Sequence, residues 1–323
     1  MATGNTNYST LVTTTLQDHG REIFDAVSTN NALYWMLDKA GNIKVRAGGR
    51  TFTHPIIYNT NSSFKMYSKL DTIDLPVTDI VTRAEYPIKV AAGSIVLGTI
   101  DLAMNAGERE KLLDLAEEKK LEAEISMSEL MGDQVFADGS NAKDFDGLDF
   151  LINAAPSGQT DVGGIDASAT GNEYWQNYAN TTGTAAFNTS QAGLTIMNDV
   201  LNSTTFGRQG PKAVFTTKAV YQLYELGLTS NIRYARTDLA DAGFRHLQFT
   251  TMPVLFDDNA TTAYMYFVDT SSLWLQVLAQ ANMKVTQFQL KQDQLASSSL
   301  MYLAGNLTTG SRRTQGLATG ITG

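Results

Sequence analysis

The chain has 323 residues, a formal net charge of -9, 43% hydrophobic and 18% charged residues, and no cysteine. That balance describes a packed protein of two domains or one elaborate domain; it excludes a disordered chain, disulfides and thiolate metal sites, and argues against general nucleic-acid affinity. The low charge density points to a surface partly covered by something other than water, as in a subunit of an assembly.

Residues 1–15 are rich in Thr, Asn and Ser and lack the basic start and apolar core of a signal sequence, so they read either as an extended arm that orders against a partner or as a frayed terminus. No later run approaches eighteen consecutive apolar residues, and the chain reads as soluble, unexported and without a membrane partner. From Leu16 to Lys39, the positions Ile23, Phe24, Val27, Leu33, Tyr34 and Leu37 keep helical spacing, interrupted near Ser28 to Asn31, which predicts one or two helices.

Gly48-Gly49 separates two short runs before a strand over Phe52 to Tyr58. Further on, Ala84, Tyr86, Ile88 and Val90 alternate with Arg83, Glu85, Pro87 and Lys89, the pattern of a half-buried strand, and Pro87 makes it an edge strand. Between the two lies TNSSFKMYSKLDTIDLPVTD, the tip of a long two-stranded arm. A two-stranded ribbon is marginal by itself in water, so this one is expected to lie on a neighbouring copy. Phe64, Lys65, Tyr67 and Lys69 at its tip and Tyr86 in the returning strand are candidate subunit contacts.

The stretch 105–139, NAGEREKLLDLAEEKKLEAEISMSELMGDQVFADG, has no proline and predicts a helix of about thirty residues, roughly 45 Å long. Asn105 caps it with Glu108, a further candidate contact, three residues on, and Gly139 ends it. Glu117-Glu118 beside Lys119-Lys120 reads as ion pairing on a solvated face.

KDFDGLDFLINAAP predicts a turn and a short apolar element. Asp144, Asp146 and Asp149 superficially resemble a calcium loop but lack its closing glutamate, which favours a plain acidic turn. Residues 157–190 form an ordered loop anchored by Tyr174, Trp175 and Tyr178, aromatics that suit core or subunit contact better than a ligand cradle. A mixed α/β region follows: a helix carrying Leu194, Met197, Val200 and Leu201, a strand over Ala213 to Phe215, a helix from Ala219 to Leu226 stopped at Gly227, and strands at Leu247 to Phe256 and Tyr264 to Val268. Strands return at Val285 to Gln292 and Leu300 to Thr308, beside the long helix. Arg312-Arg313 reads as a solvated basic pair able to meet an acidic neighbour or nucleic acid.

Catalytic signals are missing. His19, His54 and His246 stand in different elements without metal-site spacing, and no dinucleotide fingerprint, phosphate loop or nucleophile elbow occurs. Neither a cofactor nor an enzymatic activity is expected.

In this order, NIKVRAGGRTFTHPI, RAEYPIKVAAGSI, the long helix, DFDGLDFLI, VGGIDASATGNEYWQNY and MYLAGNLTTGSRRTQGLATGI, the chain resembles the major capsid proteins of tailed bacteriophages across nearly its whole length. The resemblance implies the Hong Kong ninety-seven type α+β fold: an N-terminal arm at 1–20, an N-terminal helix at 21–42, an extended loop at 43–100, a peripheral domain at 101–155 and 285–311 with the spine helix, and an α/β axial domain at 156–284 and 312–323. It implies pentamers and hexamers forming an icosahedral shell around double-stranded DNA, assembled in the host cytoplasm. With only about twenty residues before the first predicted helix, the resemblance implies either a separate scaffolding protein or a scaffolding segment already absent, with a portal and a decoration protein as further partners. Leu112, Leu115, Leu121, Ile125 and Leu130 of the spine helix would pack on the peripheral sheet, and Gly132 would let that helix bend. Lysine crosslinking through Lys65 or Lys69 lacks an identifiable partner or acid. The alternatives are an encapsulin-like compartment and, in another class, a carbohydrate-binding protein or hydrolase using Tyr174, Trp175 and the acidic turn.

Overall fold

The computed structural model describes residues 31–61, 63–73, 79–99, 109–182, 187, 192–228, 246–290 and 295–322, without the side chains of 109–118 and 246. The predicted arm, the first part of the N-terminal helical region, Asn105 and Glu108 lie outside the described residues. Helix α1 (Ala32–Lys39) begins where the apolar spacing resumes, because the Asn31 side chain accepts the Tyr34 backbone N–H at 2.9 Å and caps the first turn. It buries Leu33, Tyr34 and Leu37.

Strand β1 (Ile43–Arg46) is followed by the hairpin of β2 (Thr51–Ile57) and β3 (Val81–Pro87), which runs in register from Thr51 opposite Pro87 to Ile57 opposite Val81. Both strands of this two-stranded sheet are edges, which is why each tolerates a proline, Pro55 and Pro87. Phe52, His54, Ile56, Ala84 and Tyr86 form its buried face. The predicted alternation through Val90 slips at Ile88: in β4 (Lys89–Gly98) Ala91, Ile95 and Leu97 are buried and Val90 is exposed. The chain leaves the hairpin there and enters the large sheet.

After α2 (Arg109–Val135) come a short α3 (Leu148–Leu151), β5 (Tyr178–Asn180), α4 (Ala192–Thr204), β6 (Ala213–Thr216) and α5 (Lys218–Gly227). The remainder is β7 (His246–Phe249), β8 (Met252–Phe256), β9 (Met265–Val268), β10 (Leu273–Leu278), β11 (Lys284–Val285), β12 (Gln289–Leu290), β13 (Ala296–Thr309) and β14 (Gly316–Ala318). The central sheet is ordered β1-β10-β13-β11, with β4 and β12 also on β13. Its fourteen-residue β13 pairs β4 from Ala296 to Gly305 and β10 from Gly305 to Thr309. The second sheet is ordered β5-β14-β9-β6-β8-β7.

Several expectations change. A domain boundary at 284 cuts through the central sheet, since β10 and β11 pair β13 rather than the second sheet, and β1 and β4 join it from within the predicted extended loop. Leu247 to Phe256 is two strands, because Thr250 at φ 54° turns the chain back. Helix α2 buries Met127, Met131 and Val135, a ridge at i, i+4 and i+8, with Leu130 beside it. Leu121 and Ile125, expected inside, are 56% and 52% exposed; the side chains of Leu112 and Leu115 lie outside the described residues. Gly132 lies within the helix. A Cβ there would overlap the Asn259 side-chain amide, so this glycine admits the turn between β8 and β9.

Gly147 is tighter still, because a Cβ would fall among backbone atoms of Ala137 that no rotamer change can move. Gly147→Ala is expected to destabilise the chain by roughly 2–3 kcal/mol, read as a lower denaturant midpoint at unchanged slope. An unchanged midpoint would contradict this packing.

Candidate assembly interface

From Tyr58 to Ile80 the loop beyond the hairpin stabilises its own turns: the Tyr67 hydroxyl donates to the Ser63 carbonyl at 2.7 Å, the Ser68 N–H donates to the Asp71 carboxylate at 2.6 Å, and Lys65 lies over the Tyr67 ring at 5.4 Å. Among its described residues the large aliphatic side chains and Phe64 are turned outward. Phe64 is 88% exposed, Met66 100% and Leu70 95%, with Ile73 and the neighbouring Ile57 and Val81 also exposed. A second apolar surface is the outer face of α2, where Leu121 and Ile125 sit one turn apart. A third lies on the β4–β13 ribbon, whose exposed face carries Val90, Val96 and Leu300, with Leu290 and Leu295 at its far end. Scattered surface leucines need no explanation, but three groups of large apolar residues without cover are the mark of an interaction surface.

The sequence candidates divide. Phe64, Lys65 and Lys69 are exposed at the tip and Tyr67 is half-buried beside them. Tyr174 is half-buried and packs on Tyr58 at 5.2 Å, while the exposed Arg313 lies over the Phe206 ring at 3.9 Å. Tyr86, Trp175 and Arg312 are buried within the chain and present no side-chain surface to a neighbour, which corrects their reading as contacts. Tyr86 donates to the Thr309 carbonyl at 3.0 Å, and burial pushes its phenol far above the ordinary range. Trp175 donates its indole N–H to the Val162 carbonyl at 2.8 Å. Met66, Leu70, Ile73 and the ribbon residues were not singled out; the available signal was apolar residues recurring inside a polar loop.

Arg312 is not a solvated cation. Its Nε donates to the Leu151 carbonyl at 2.9 Å, Nη1 to the Trp175 carbonyl at 3.0 Å, and Nη2 to the side-chain oxygens of Asn177, at 3.0 Å, and Gln159. Burial lowers its pKa to about 10, so the guanidinium remains charged at neutral pH, held by neutral oxygens. These bonds join α3, the loop 156–177 and the segment leading to β14. The adjoining Gly163-Gly164 turn, with φ of 63° and 73°, lets Val162 and Ile165 pair and places the Gly163 carbonyl 2.7 Å from the Glu85 N–H of β3. The hairpin is thereby tied to the interior that Arg312 organises.

The acidic turn is likewise structural. Asp146 accepts the Asn306 amide at 2.7 Å, and Asp149 accepts the Tyr266 hydroxyl at 3.0 Å and the Thr261 hydroxyl at 3.3 Å; burial raises the pKa of both carboxylates. Among the described residues no group of three or more acids and histidines is placed to hold a metal, and no helix is long and apolar enough to cross a membrane.

No protein-family model matches the chain, and no curated protein matches it in sequence. Solved structures do match. The capsid asymmetric unit of cyanophage A-1(L) aligns over 88% of this chain and 91% of its own, at 13% identity and a TM-score of 0.65. The capsid of an empty GTA particle aligns over 88% and 89%, at 13% identity and 0.56. The holo-SrpI encapsulin complex from Synechococcus elongatus aligns over 89% and 87%, at 7% identity and 0.53. The chain has the Hong Kong ninety-seven type capsid fold.

Proposed function

We propose that this chain is the major capsid protein of a tailed phage, assembling through pentamers and hexamers into an icosahedral head around double-stranded DNA, with the virion as its place of function. The observation that carries the reading is the set of three exposed apolar surfaces on a fold shared along most of its length with a cyanophage capsid subunit. Exposed apolar groups of this kind mark interaction surfaces, and three separate ones on one subunit suit an assembly with several neighbours rather than a dimer. The role is structural and not enzymatic. A net charge of -9 suits a wall that encloses DNA without binding its sequence. A scaffolding protein, a portal and a decoration protein complete the set of partners.

A compartment for protein cargo is the second reading, favoured by the encapsulin match. Expression of the full chain, alone and with a candidate scaffolding protein, followed by size-exclusion chromatography and electron microscopy, tests both. Shells, tubes or capsomer rings are expected, and a monodisperse monomer under both conditions overturns both readings. Particles made in the native context are expected to contain DNA; particles filled with one protein instead select the compartment.

A further inference from the structure

Where the hairpin meets the central sheet, the His54 imidazole stacks on the Trp274 indole, with centroids 4.6 Å apart and planes 14° from parallel, and meets the Tyr86 ring edge-on at 6.2 Å. Its Nε2 lies 2.7 Å from Gln276 Nε2 and 3.0 Å from Thr308 Oγ1. The Gln276 amide is fixed from its other end, because Oε1 accepts from Arg46 Nε at 3.1 Å and so leaves the amide nitrogen facing His54. An amide nitrogen offers only hydrogens; His54 Nε2 must therefore accept, and the ring proton resides on Nδ1. The Thr308 hydroxyl, 3.1 Å from the Trp274 carbonyl, donates there and receives a second Gln276 hydrogen at 3.1 Å. A chain of directed bonds thus runs from β1 through β10 to β2, and its last link, from the Gln276 amide to His54, exists only while Nε2 carries no proton.

We propose that this relay is a proton-operated latch: protonation of His54 releases the root of the hairpin from the central sheet. An imidazolium can aim Nε2–H at Thr308 Oγ1, 3.0 Å away, but it loses the bond from Gln276 and brings two donors to 2.7 Å. Rotating the amide to relieve that clash would turn its nitrogen onto the Arg46 guanidinium, so neither orientation of Gln276 satisfies both neighbours. Among the described residues no anion lines the ring. Strand β1 contributes Lys44 and Arg46, β3 the neutral Tyr86 with the Arg312 cation beyond it, β10 Trp274 and Gln276, and β13 Thr308. Burial, and then Arg46, hold the imidazole down at about 4. With the folded value depressed, the closed latch is fully stabilised above the ordinary histidine value near 6.5 and loses that stabilisation as pH falls toward about 4. The inference rests on the hairpin root alone and stands apart from whether the chain forms shells.

Hydrogen exchange by residue on the full chain, with NMR titration of the His54 ring, tests it. After correction for intrinsic rates, the opening constant of amides in β2 and β3 is expected to rise close to tenfold per pH unit between roughly 6.5 and 4, while β6 and β9 stay protected. His54→Gln flattens that dependence. Gln276→Glu gives the imidazolium an acceptor, raises the His54 titration above the ordinary value and keeps the hairpin closed in acid; it decides the matter if His54→Gln does not fold. A wild-type His54 titrating near 6.5, hairpin opening that ignores pH, or an unchanged acid response in His54→Gln overturns the latch.

Discussion

Arg312→Ala is expected to destabilise the chain by about 4 kcal/mol, and Arg313→Ala, one residue along, to leave stability within roughly 0.5 kcal/mol. The contrast follows from surroundings rather than chemistry. Removing the Arg312 guanidinium strips donors from the Leu151 and Trp175 carbonyls and from the Asn177 and Gln159 side chains, all in a region where the arginine is fully buried. Each buried acceptor left without a partner costs about 1–3 kcal/mol, and the vacated volume adds a cavity term. Asn177 also accepts the Asn153 N–H at 3.1 Å and donates to the Asn153 carbonyl at 2.8 Å, so loss at one atom loosens the end of α3 as well. Lysine keeps the charge but lacks the planar fork that reaches several oxygens at once, so Arg312→Lys recovers less than half of the lost stability. At roughly 2 °C per kcal/mol for a chain of this size, Arg312→Ala lowers the unfolding midpoint by about 8 °C. Calorimetry of the unassembled chain gives the number, and a shift no larger than that of Arg313→Ala would show that water replaces the guanidinium at no expense.

That arginine marks the limit of what the sequence made legible. Local periodicity identified α4, β6 and α5 closely, and the break in apolar spacing before Leu33 is the Asn31 cap of α1. Those features depend on neighbours within a few positions. Whether Arg312 is solvated depends instead on residues more than a hundred positions away, and nothing in SRRT signals that Leu151, Gln159, Trp175 and Asn177 converge on it. The same applies to β10, whose LWLQVL pattern fits either sheet until its pairing with β1 and β13 is known. The inner face of α2 was hidden for a different reason. The helix has apolar residues on more than one face, and the sheet takes the Met127, Met131 and Val135 ridge with Leu130 beside it, leaving Leu121 and Ile125 outside. A helix that is apolar on two faces has two partners to satisfy.

The hairpin tip carries the other large effect. Combined Phe64→Ser, Met66→Ser, Leu70→Ser and Ile73→Ser substitution is expected to abolish shell formation while leaving the unfolding midpoint of the unassembled chain within a degree or two of wild type. Within the chain these side chains are exposed, so their loss removes little that holds the subunit together. Docked on a neighbour, each would contribute about 1.5–3 kcal/mol of apolar burial, and four together exceed roughly 6 kcal/mol per contact. Ordering and desolvation offset part of this, but a net loss of even about 4 kcal/mol raises the concentration needed for assembly roughly a thousandfold. Leu121→Ser with Ile125→Ser removes half as many groups from the helix face and should weaken assembly without abolishing it. Particle counts by electron microscopy at fixed subunit concentration, paired with calorimetry of the unassembled fraction, separate the cases. Normal shells from the fourfold tip variant would mean that the hairpin extends from the subunit without holding its neighbour, and the apolar cover would then have to be sought on the ribbon of β4 and β13.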